Sequence, residues 1–153
     1  MNRREMLTAS AGATMGVIGL AGIGNAEEKM ADSLANGDKA KKEYLLKECG
    51  MKYDHLGIPT EDDMKWDAYL ENLKLHIQEY ENDPFGIEWM KFESGSPLPE
   101  IIQKRPHVAF VVNDLAKATK GYDLLVPVSS PRPGMTTCFI VHKGIAVEFV
   151  CRD

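Results

Sequence analysis

The 153-residue sequence predicts an α+β fold built from two βαβββ half-repeats, and three observations carry that expectation. From Lys52 onward, short runs of β-branched and apolar residues are separated by turn residues, which is strand patterning. Each half opens on a strand with a histidine and closes on a strand with a glutamate. Tyr53-Asp54-His55-Leu56-Gly57 aligns with Arg105-Pro106-His107-Val108-Ala109, and Gly86-Ile87-Glu88-Trp89-Met90 with Ala146-Val147-Glu148-Phe149-Val150. The last two strands are joined by Lys143-Gly144, a two-residue turn with glycine where positive φ is easy.

In the first half, a short strand over residues 53–60 is stopped by Pro59. The only helix candidate is 62–70. Residues 73–80 alternate, with Leu73, Leu75 and Ile77 on one face, and after the turn Asn82-Asp83-Pro84 a strand covers 87–92. Residues 94–99 read as a linker, rich in Ser, Gly and Pro. In the second half, 107–112 is a β-branched strand, and Asp114 caps a short helix ending at Gly121. Strands follow at 124–128, 136–142 and 145–151, with a two-proline loop at 129–134. The stretch from histidine to glutamate is longer in the second half, matching the weaker helix of the first.

Ahead of this domain (52–153) the chain divides into an export signal (1–26) and a spacer with a helix (27–51). Arg3-Arg4 precedes a weakly apolar run rich in Ala, Gly and Thr, and Gly24-Asn25-Ala26 supplies small residues for cleavage. Arg3, Arg4 and Leu7 match Arg-Arg-x-x-Leu, so the leader resembles a twin-arginine signal, which implies export to the periplasm or cell envelope. Beyond the break at Asn36-Gly37-Asp38, Tyr44, Leu45 and Leu46 form a short apolar face. This reads as a helix of about three turns lying on the domain, or as a solvated linker.

Composition excludes several classes. Hydrophobic residues at 44% and charged residues at 27% are a globular balance, which argues against disorder. A net charge of −5 lacks the basic surface a nucleic-acid binder needs. No run is long and apolar enough for a conventional membrane span. Cys49, Cys138 and Cys151 are too few and scattered for a disulfide scaffold or a C-x-x-C zinc pair.

The chemistry lies in the His and Glu strands. A two-residue turn at Lys143-Gly144 sets Glu148 opposite Phe139, on the face of Ala146, Val150 and Val141; the other face holds Val147, Phe149, Cys151, Cys138 and Ile140. Both faces are apolar, so these strands are covered on both sides and Glu148 is buried. A buried carboxylate needs a proton, a cation or hydrogen-bond donors. His55, Glu88, His107 and Glu148, at matching places of the two halves, offer the cation: a divalent metal between the halves.

Tyr53-Asp54-His55-Leu56-Gly57-Ile58-Pro59, the segment from Pro106 to Leu115, and Gly144-Ile145-Ala146-Val147-Glu148-Phe149 resemble the vicinal oxygen chelate superfamily of glyoxalases, bleomycin-resistance proteins and extradiol dioxygenases. The resemblance covers 52–153. It implies half-repeats whose curved mixed sheets enclose a metal cleft, with ligands on the first and last strands of each half. Carried over position by position, these fall on His55, Glu88, His107 and Glu148. The metal would be Zn, Ni, Fe or Mn. The short first half leaves one wall of the cleft open or filled by a second chain, as in a homodimer.

Many such sites use two His and one carboxylate with positions left open, so Glu88 is either a ligand or a base. One reading is a metal-dependent lyase, isomerase or dioxygenase. The ion binds adjacent oxygens of a small oxygen-rich substrate and stabilises an enediolate-like anion, while Glu88 or Glu148 moves the proton. His76 is either a strand histidine open to solvent or a substrate-binding group; Arg132 is either part of a surface loop or meets an anionic substrate. The alternative is a non-catalytic small-molecule-binding module of the bleomycin-resistance type, and a structural remnant in the envelope is a third reading.

Overall fold

A computed structural model of the chain describes residues 37–153. The expected export signal at 1–26 and the first part of the spacer lie outside the described residues. Helix α1 (residues 37–48) leads into β1 (Lys52–Pro59), β2 (Ala68–Leu70), β3 (Leu75–Gln78) and β4 (Ile87–Phe92). After α2 (Glu100–Lys104) come β5 (His107–Val111), α3 (Leu115–Ala118), β6 (Leu124–Arg132), β7 (Met135–His142) and β8 (Ile145–Arg152).

All eight strands join one curled mixed sheet in the order β2-β3-β4-β1-β5-β8-β7-β6, so the fold is α+β. At its centre β1 and β5 run antiparallel, and each has a parallel neighbour on its outer side, β4 beside β1 and β8 beside β5. The flanking pairs β2–β3, β3–β4, β6–β7 and β7–β8 are antiparallel. The spatial order within β1–β4 is the same as within β5–β8.

The β7–β8 hairpin closes through Lys143 and Gly144 at φ 49° and 80°, and Glu148 lies opposite Phe139 as the turn length requires. Asp114 caps α3, its side chain accepting from the Lys117 amide at 2.9 Å.

Two expectations are corrected, and one helix was not expected. No helix forms over 62–70. The backbone of the segment is drawn to β3 instead: Asp67 N–H donates to Ile77 O at 2.9 Å, and Ala68 to Leu70 pair with Ile77 to Leu75. The two-proline loop at 129–134 is mostly strand, because β6 runs on to Arg132. As the last strand of the sheet, β6 has one side free of ladder bonds and so tolerates Pro127 and Pro131. Helix α2 stands just beyond the expected linker. It starts after Pro99, carries a Glu100–Lys104 ion pair one turn apart, and plants Ile102 in the core.

The sheet is covered on both faces around β7 and β8. Leu45 and Cys49, from α1 and its end, and Ala118 from α3 pack on Cys138, Ile140 and Phe149. On the other, concave-side face, Ile102 packs with Phe139 and Ala146, and Leu75, Ile77 and Met90 form a second apolar group. Each fully buried Leu, Ile, Met or Phe among them contributes about 1.5–3 kcal/mol. All three cysteines are free; Cys138 faces Phe149 and Cys151 faces Thr136 in the ladder. Among the described residues no helix is long and apolar enough to cross a membrane.

Candidate metal centre

Sheet register builds the site. Glu88 on β4, Gly57 on β1 and His107 on β5 are successive ladder partners, and Ala146 on β8 continues that row. A neighbouring row holds His55 on β1, Ala109 on β5 and Glu148 on β8. Each row therefore places a small residue between a His and a Glu, the two rows running in opposite directions across the sheet centre. The small residues let rings and carboxylates lean over the strands between them.

The four side chains converge. His55 and His107 are each 2% exposed, Glu148 5% and Glu88 9%. His107 Nε2 lies 3.2 Å from Glu148 Oε2, and His55 Nε2 lies 3.6 Å from the same oxygen and 3.7 Å from Glu88 Oε1. Ligand atoms of His55, Glu88 and His107 all fall within 4.8 Å of one another. The rings meet edge to face with centroids 5.6 Å apart.

The other oxygens of the two carboxylates differ in their partners. Glu148 Oε1 accepts from the Thr137 hydroxyl at 2.6 Å, and Glu88 Oε2 faces Arg132 Nη2 at 3.9 Å. Burial pushes both carboxyls up. At Glu88 burial prevails, with the Glu148 charge adding to it, and the net shift is up despite the histidines and Arg132. At Glu148 the His107 and His55 rings and the Thr137 hydroxyl outweigh burial, so it is held below the usual carboxylate range. Burial pulls His55 down, but its bond to Asp54 and the Glu88 and Glu148 charges raise it overall.

His55 Nε2 and both ring nitrogens of His107 are buried without a hydrogen-bond partner. Buried polar atoms are normally satisfied, and a satisfied structural histidine would not leave three nitrogens orphaned beside two carboxylates. A divalent ion fits this donor set: neutral imidazole and carboxylate are what Zn, Ni, Fe and Mn accept. His55, Glu88 and His107 could hold it, and Glu148 Oε2, 3.2 and 3.6 Å from the two Nε2 atoms, could take the place of Glu88 as the carboxylate ligand.

The centre opens on a cavity of about 100 Å³ walled chiefly by Leu70, Leu73, Leu75, Ile77, Met90, Val126 and Phe139, with Arg132 among its polar groups. Arg132 donates to Glu79 at 2.6 Å, bridging the end of β6 to the turn after β3. His76 is not part of the site. It alternates with Leu75 and Ile77, which line the cavity, and so points from the opposite face of β3, where it bonds Glu93 at 2.8 Å and stacks on Tyr69.

Sequence reasoning missed Asp54, Tyr80, Arg152, Thr137 and Gly57. Only Thr137, a polar residue on the same strand face as Phe139 opposite Glu148, left a signal in the alternation. No model of a known protein family matches the chain, and no curated protein matches it.

Proposed function

We propose that the protein is an exported member of the vicinal oxygen chelate superfamily, two βαβββ half-repeats with the helix lost from the first, holding a divalent metal between them. On this reading it acts on a small oxygen-rich substrate as a lyase, isomerase or dioxygenase. The observation that carries the proposal is the set of orphaned nitrogens of His55 and His107 facing Glu88 and Glu148. The matching strand order of β1–β4 and β5–β8 supports the duplication.

A divalent ion bound there would supply Lewis-acid polarisation of substrate oxygens. The protein's own part is proton handling and water exclusion. Glu148, held ionised and nearest the histidines, suits a ligand. Glu88, whose proton affinity burial raises, suits the group that takes a proton from the substrate and returns it. The apolar wall keeps water from the reacting atoms, and Arg132 orients an anionic group on the substrate.

The apolar wall also favours a second reading, a non-catalytic module that binds a small molecule with an apolar body. A crystal structure of zinc-loaded protein tests the metal reading: anomalous signal should lie among His55, Glu88, His107 and Glu148, and signal only elsewhere refutes it. Glu88→Gln separates the two readings. A variant that keeps its metal and loses turnover marks an enzyme; wild type with no turnover on hydroxycarbonyl or catechol-type substrates marks the binding module.

A further inference from the structure

We infer that Asp54 is a positioning residue for His55, clamped by Arg152 and Tyr80, and that it fixes which ring nitrogen of His55 is offered to a metal. The inference rests on the metal reading above.

The ladder between β1 and β5 shifts register between Tyr53 and His55, so Asp54 is an extra residue, a β-bulge. Bulges re-aim side chains next to functional sites. Here the bulge lets two consecutive residues serve one centre. His55 takes its place in the row with Ala109 and Glu148, while the Asp54 carboxylate comes alongside its ring, with Oδ2 2.9 Å from His55 Nδ1.

Asp54 is itself held. Arg152, near the end of β8, donates from Nη1 to Oδ1 and from Nη2 to Oδ2, both at 2.7 Å, a bidentate pair of fixed geometry. Arg152 Nη2 also donates to the Tyr80 hydroxyl at 3.1 Å, and that hydroxyl donates to Asp54 Oδ1 at 3.4 Å. The Tyr80 ring lies on the His55 imidazole, centroids 4.9 Å apart and planes 12° apart. Ring plane and ring rotation are thus both set from outside the metal centre.

An ionised carboxylate accepts only, so Nδ1 must carry the proton and Nε2 presents its lone pair toward Glu88 and Glu148 when the ring is neutral. His107 has no equivalent: both its ring nitrogens lack a partner. The two histidines are therefore unequal: His55 is preset by a hydrogen bond, whereas His107 is held by packing alone.

The test uses zinc-free and zinc-titrated protein. Imidazole 15N–1H correlation spectra of the zinc-free protein report the His55 tautomer, and competition with a chromophoric chelator reports zinc affinity. Wild type should show His55 protonated at Nδ1. Asp54→Ala should release that preference and weaken zinc binding by about 10–100-fold. Asp54→Asn, which keeps an acceptor oxygen, should restore the tautomer and most of the affinity. If both Asp54 variants fail to fold, Arg152→Met, which leaves Asp54 in place but unclamped, should broaden the His55 tautomer signal and weaken zinc binding several-fold. Folded Asp54→Ala with wild-type tautomer or wild-type affinity overturns the positioning role alone, as does an unchanged Arg152→Met. Wild type that binds no zinc overturns the metal reading and the positioning role with it, whatever the tautomer.

Discussion

Gly57 lies directly opposite His107 across the β1–β5 ladder, and a Cβ added to Gly57 would stand 2.1 Å from Cε1 of that ring. The imidazole occupies the space any other residue would fill, pressed between the bare β1 backbone and the Phe139 ring, 5.3 Å away edge to face. Gly57→Ala is expected to displace His107 and cost about 1–3 kcal/mol through overpacking. Urea denaturation in chelator checks the stability loss, and a zinc titration should show weakened binding. Wild-type zinc affinity in this variant would mean that His107 is not a ligand.

Thr137 secures Glu148 in the same way that Gly57 makes room for His107. Its hydroxyl is 2.6 Å from Glu148 Oε1 in a buried setting. Thr137→Val leaves that carboxylate oxygen unpaired, and a loss of about 1–3 kcal/mol in metal-free protein is expected. Combined with Glu148→Leu, which removes the acceptor, the loss should be less than additive, because the two changes remove one shared bond. Full additivity in denaturant melts would contradict the contact.

The pH dependence of metal-free stability follows from three shifted groups. His55 is raised, so its contribution is complete below about pH 6.5 and is lost as pH climbs through the raised value. Glu148 is lowered, so its contribution is present above the ordinary carboxylate range and is lost as pH falls through the depressed value. Glu88 is raised, so burying its charge destabilises increasingly as pH rises above the ordinary carboxylate range. Metal-free protein should therefore melt at a lower temperature at about pH 8 than at about pH 6. Saturating zinc should stabilise more at the higher pH, since its ligands must shed protons to bind. Thermal melts at both pH values, with zinc and with chelator, check the crossing.

Much of the centre was legible before the structure because the His and Glu strands of the two halves align position for position, and because apolar residues on both faces of the last strands bury Glu148. The hairpin register was legible too: a two-residue turn leaves one pairing, which sets Glu148 against Phe139. Asp54 was not legible, because a bulge breaks the period-two rule and places neighbours in one site. Gly57 gave no signal because its role is to leave room for a ring from another strand. Residues 62–70 misled because the weak helix candidate is overruled by pairing with β3, a contact no local pattern contains. His76 alternates correctly but on the outer face, and alternation does not say which face is inner.

Export is expected from Arg3-Arg4 and Gly24-Asn25-Ala26. Arg3→Lys with Arg4→Lys should leave uncleaved chain in the cytoplasm, seen by fractionation and immunoblot. Normal export and cleavage of the double variant would contradict a twin-arginine signal.

The central claim is that His55, Glu88, His107 and Glu148 form a metal site, and the metal content of the purified protein tests it most directly. Elemental analysis of the wild type should find one divalent ion per chain, of the Zn, Ni, Fe or Mn kind. His55→Ala with His107→Ala should remove it while circular dichroism still reports the strands. Wild type with no stoichiometric metal, and no rise in melting temperature when these ions are added, would contradict the account.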